Sequence, residues 1–79
     1  MSTIKPIPIH HQRQLDAIGN YLRELRFSEG LTIKELSEHS DLHRNTIQRA
    51  ETGHVTLKII FTLAEVFELT PYDIISIIE

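Results

Sequence analysis

Cysteine is absent from this 79-residue chain. That excludes disulfide frameworks, thiolate metal sites and a cysteine nucleophile together, and it agrees with a reducing cytoplasm. Glycine and proline are scarce, three of each, and no glycine-rich loop is available to cradle a phosphate. No low-complexity tract or internal repeat is visible. No window approaches the roughly 20 apolar residues of a membrane span, and the opening residues Met1 to Pro6 lack the apolar stretch of a signal peptide. The expectation is a soluble, cytoplasmic protein with no membrane partner. A catalytic set is missing too: the carboxylates are scattered over exposed helix faces, with no nucleophile beside a base. An enzyme is not expected, nor is a cofactor.

Positive charge is also in short supply. Eight Lys and Arg face eleven Asp and Glu, for a net charge of −3. Distribution matters more than the sum. Residues 1–56 carry seven cations and seven carboxylates, whereas Lys58 faces Glu65, Glu68, Asp73 and Glu79 in the remainder. The acidity sits in the last third.

What is present is helical patterning. The apolar fraction, 41%, suffices for one small domain. Residues 1–13 read as a flexible arm, because Pro6 and Pro8 alternate with Ile4, Ile7 and Ile9 and favour extended backbone. From Gln14 to Ser28, Leu15, Ile18, Leu22 and Leu25 recur at spacings of three and four, the mark of an amphipathic helix, and Gly30 supplies a stop. A second helix opens at Thr32 with Glu35 three residues on, a capping box, and ends near Ser40. A third runs from His43 to Gly53, with Ile47 and Ala50 on its inner side. A fourth follows Thr56. Leu57, Ile60, Leu63, Ala64 and Phe67 mark its core stripe, and Ile59, Phe61 and Val66 make it apolar almost all round, as in a central buried helix. A fifth opens at Thr70-Pro71-Tyr72-Asp73. No segment reads as a strand, so the fold class is all-α, with the domain at 14–79.

The segment 32–52 carries the functional signal. Two short helices joined by a tight turn can project the second into a groove only if they cross closely. Ser37 is the small residue such a crossing needs. Asp41 is one of the few non-glycine residues that tolerates positive φ, and Ile47 packs the second helix back on the first. Arg44, Asn45, Gln48 and Arg49 then fall on the outer side. Arg pairs with guanine and Asn or Gln with adenine, each bidentately, so these four are the expected base-reading set. Thr46, Thr52 and His54 suit phosphate contacts, as do Thr32 and His43 at the two helix starts. His39 and His43 flank Asp41, but a helix break separates them and nothing nearby completes a metal site. His10 and His11 give equally thin support, and no metal is expected.

These residues resemble the Cro and phage-repressor type of helix-turn-helix domain, the XRE family. The resemblance spans about Ile18 to Ile75. It rests on Ile18-Gly19, Leu22-Arg23-Glu24-Leu25-Arg26, Gly30-Leu31-Thr32, Glu35-Leu36-Ser37, Thr46-Ile47-Gln48-Arg49-Ala50-Glu51-Thr52-Gly53 and Leu63-Ala64. It implies a five-helix lambda-repressor-like bundle, groove entry by the third helix, base contacts at Arg44, Asn45 and Arg49, and usually a dimer on double-stranded DNA. It also implies a salt bridge from Arg26 to Glu51. Ile33 stands where the family often carries Gln, Asp41 where Gly is common, and His43 where Ser or Thr usually caps.

The apolar excess of Ile74, Ile75, Ile77 and Ile78 suggests either a terminal helix folded onto its own domain or a homodimer interface. The leading expectation is a dimeric transcriptional regulator, a repressor on a palindromic operator. The alternative is an antitoxin-like or adaptor protein whose main partner is another protein, such as a toxin.

Overall fold

The structure, a computed structural model, describes residues 9–79, with side chains from His11 onward. Five α-helices follow one another: α1 (Ile9–Ser28), α2 (Ile33–Ser40), α3 (Arg44–Ala50), α4 (Leu57–Val66) and α5 (Pro71–Ile75). A 3-10 turn, Ser76–Ile78, completes the order. No strand occurs among the described residues.

The start of α1 corrects the sequence reading. Residues 9–13, expected in an extended arm, are helical. Pro6 and Pro8 restrict the backbone before them, but neither forbids a helix that begins afterwards, where the first amides need no carbonyl partner. The arm reading of residues 1–8 lies outside the described residues. The buried stripe of α1 is Ile18, Leu22 and Arg26, while Leu15 at its N-terminal end is largely exposed. Gly30 ends α1 at φ +67, with the Leu31 amide donating to the Arg26 carbonyl at 3.0 Å, a Schellman closure.

α2 starts on the expected capping box. The Glu35 amide donates to Thr32 Oγ1, and the Thr32 amide to Glu35 Oε1. It ends at Asp41, φ 61, the left-handed turn residue anticipated from its chemistry. Ser37 has a second task that its size alone did not reveal. Its hydroxyl donates to the Leu42 carbonyl, and buried Ser40 accepts from the Leu42 amide at 3.2 Å, so two serines pin the turn.

Leu36, Ile47, Ala50 and Ile74 are each 0% exposed, and Leu22, Leu63 and Ala64 nearly so. Burying a Leu or Ile side chain stabilises by about 1.5–3 kcal/mol, so these few residues hold the bundle together. α4 is less buried than its composition implied. Ile59, Ile60, Leu63 and Ala64 face the core, whereas Leu57 and Phe61 stand in water. The four other helices and the 3-10 turn cannot surround one helix in so small a domain, so only one side of α4 finds neighbours. It closes at Glu68, a non-glycine residue at φ 58, with the Leu69 amide on the Ala64 carbonyl.

The chain end also departs from expectation. Ile74 is consumed by the protomer's own core, and Ile75 and Ile78 pack partly against it, which leaves Ile77 as the exposed member at 37%. As a four-residue association surface the terminal isoleucines are corrected accordingly: Ile74 drops out.

Candidate nucleic-acid interface

α3 is seven residues long, so its orientation depends on what holds each end. At its start, His43 serves as N-cap: the Asn45 amide donates to ring Nδ1 at 3.1 Å. Accepting at Nδ1 places the neutral ring's proton on Nε2, where an outside acceptor can take it. Imidazole thus does the work of the usual Ser or Thr hydroxyl. At its end, the Arg49 carbonyl accepts from the amides of Thr52 and His54, each at 3.0 Å, and from Thr52 Oγ1 at 2.8 Å.

Behind the helix, Ile47 and Ala50 are fully buried. In front, Arg44, Asn45, Gln48 and Arg49 are all exposed. With 3.6 residues per turn these four side chains occupy an arc of about 140°, opposite Ile47. The structure therefore brings the expected base-reading set together on one face. Thr46, at the edge of that face, is half-buried, and Thr52 and His54 follow it exposed. The Thr52 hydroxyl proton is engaged by the Arg49 carbonyl, which leaves its oxygen lone pairs rather than its proton facing outward. Thr32 is exposed at the start of α2, its amide and hydroxyl oxygen both used in the capping box.

Arg26 and Glu51 meet as the resemblance implies. Nε lies 2.7 Å from Oε2 and Nη2 lies 3.0 Å from Oε1, a bidentate pair with side chains only 9% and 6% exposed. Nη1 donates to the Leu31 carbonyl at 2.9 Å. The hydrogen bond to Glu51 raises the Arg26 pKa above its ordinary value, against the opposing effect of burial. Glu51 is the carboxylate nearest in sequence to the polar face of α3, and the pairing withdraws its charge from that face.

Sequence reasoning missed two contributors. The early start of α1 brings Gln12, beside the expected helical Leu15, to the flank of α3, where both line one groove with Thr46, Arg49 and His54. Pro8 hid that signal. Gly19 packs so tightly on the end of α3 that a Cβ there would lie 2.7 Å from the Ala50 carbonyl oxygen and 2.8 Å from that of Glu51. Glycine inside an amphipathic helix was the available clue. Of the histidines weighed for metal, His39 sits in the last turn of α2 and His43 caps α3. No group of three potential metal ligands is found among the described residues. Nor is any described helix long and apolar enough to cross a membrane.

A search of curated proteins and of solved structures finds no significant match. The helix-turn-helix family model, in contrast, matches residues 22–74, which takes in the C-terminal part of α1, the whole of α2, α3 and α4, and the start of α5. The chain belongs to the helix-turn-helix family of the Cro and phage-repressor (XRE) type, a family of DNA-binding transcriptional regulators.

Proposed function

We propose that the protein represses transcription by binding a two-fold symmetric operator as a homodimer, each copy laying α3 in a major groove. Arg44, Asn45, Gln48 and Arg49 read base edges. Thr32, His43, Thr46 and His54 hold the phosphate backbone, His43 through its Nε2 proton, whereas the Thr52 hydroxyl proton is already committed to the Arg49 carbonyl. The observation that carries this reading is the grouping of four exposed bidentate-capable side chains on a short helix whose opposite side is wholly buried. Arg, Asn and Gln are the residue types that pair bidentately with guanine and adenine in that groove.

The test is selection of bound sequences from a randomised duplex pool, repeated with Arg44→Ala. The expected result is a pseudo-palindromic site whose discrimination at one base pair per half-site falls by about 1–3 kcal/mol in the variant. Equal weakening on every sequence would make Arg44 a phosphate contact. Retention of no duplex, with a basic protein co-purifying instead, would overturn the regulator reading.

A further inference from the structure

The DNA reading leaves unused the α4 face turned away from the core. Leu57 is 62% exposed and Phe61 53%, one turn apart and therefore adjacent. Single exposed apolar residues are ordinary. A Leu–Phe pair at helical spacing, beside a well-filled core, is a contact surface waiting for its counterpart.

The charges around the pair say what that counterpart is. Lys58 and Glu65 are both exposed and lie two turns apart on the same side of α4. Neither has an ion-pair partner among the described residues. A helix with a cation at one end of a face and an anion at the other is complementary to itself when laid antiparallel. We infer that a second copy of this chain packs on this face, with the two α4 helices antiparallel about a two-fold axis beside Phe61.

The register follows from the numbering. Placing Lys58 of each copy opposite Glu65 of the other sets the axis midway between those positions, between Phe61 and Thr62. The two Phe61 rings then meet near the axis, where aromatic pairs stabilise beyond their area, and both ion pairs form at once. A parallel arrangement would oppose Lys58 to Lys58 and Glu65 to Glu65. A foreign partner has no reason to find the apolar residue at the midpoint of the charge pattern, whereas an isologous contact does. The terminal isoleucines compete poorly for this role, since Ile74 is fully buried in its own protomer.

This inference rests on the dimeric operator reading and gives it a surface. α4 is ten residues long, about 15 Å, so the contact is smaller than the roughly 1,200 Å² at which standard stable interfaces begin. The free dimer is weak, and adjacent half-sites draw the copies together by raising their local concentration.

Sedimentation equilibrium over a wide concentration range tests it, with circular dichroism confirming that each variant folds. Wild type associates reversibly, and Phe61→Glu weakens association at least tenfold. Lys58→Glu and Glu65→Lys each weaken it severalfold, and the double variant regains the wild-type constant, which keeps the test decisive should Phe61→Glu not fold. Because the chain has no cysteine, Phe61→Cys should oxidise to a covalent dimer much faster than Tyr72→Cys, although Tyr72 is the more exposed of the two. Strictly monomeric wild type, a double variant no better than either single one, or dissociation by Ile77→Glu but not by Phe61→Glu overturns the interface. Binding to a single half-site is read separately. Its loss in wild type strikes the base-reading proposal, whereas Phe61→Glu should keep half-site affinity and lose only the gain from a second half-site.

Discussion

At the scale of single residues, the buried pair of Arg26 and Glu51 ties α1 to the end of α3. Two charges taken out of water gain little net stability, but removing one strands the other. Arg26→Met should therefore destabilise the domain by about 3 kcal/mol or more, read from denaturant midpoints. Arg26→Met combined with Glu51→Leu should recover most of that loss. An equally unstable double variant would mean that the pair, rather than the stranded charge, carries the energy. The partnership itself could be anticipated from family resemblance alone, since twenty-five positions separate the two and no local pattern links them. Asp41 was readable for the opposite reason: positive φ is a property of one residue and its neighbours. The resemblance put His43 at the cap position, and the placed ring adds that Nδ1 is the atom accepting from the Asn45 amide.

At the scale of elements, the capped starts of α2, α4 and α5 were the most legible features, whereas the start of α1 and the helix environments were the least. Thr32, Thr56 and Thr70 each cap the helix expected to follow, through a local side-chain contact three residues long. The Thr32 box predicts a pH effect. The Thr32 amide, followed by its side-chain hydrogen bond, holds the Glu35 carboxyl below its ordinary value. A lowered folded-state pKa adds stability above the unfolded value that is lost as pH falls through the folded one. Glu35→Gln should thus be less stable than wild type near neutrality, and the gap should close below about pH 4 in thermal melts. Gly19 sets how closely α1 approaches α3. Since both obstructing atoms are backbone oxygens, Gly19→Ala should cost about 1–3 kcal/mol through overpacking and loosen DNA binding by moving α3. Unchanged stability in denaturant titration would show that the approach relaxes freely. α4 was misjudged because composition counts apolar residues but not the neighbours available to cover them.

At the scale of the whole molecule, the net charge of −3 arises in residues 57–79, outside α3, while residues 1–56 are balanced, so the negative sum does not conflict with membership of a DNA-binding family. On the proposed reading few cations face the duplex, so few counterions are released. If Arg44 and Arg49, beside the bases, and Lys34, exposed in the first turn of α2, lie close enough to phosphates in each copy to displace counterions, affinity should drop by about 10³-fold between 50 and 200 mM salt, measured by fluorescence anisotropy. A flat salt response would remove the duplex as the partner, and a much steeper one would require cations beyond these. The amino-acid order by itself determined the five helices, their caps, the left-handed turn at Asp41 and the polar outer side of α3, because each arises from contacts within a few residues. Tertiary structure alone decided that α1 reaches back to flank α3, that Arg26 is buried on Glu51, that Ile74 is core, and that Leu57 and Phe61 are left in water. Those outcomes depend on which surfaces meet across the bundle, and burial is a property of the assembled neighbours rather than of the residue that is buried.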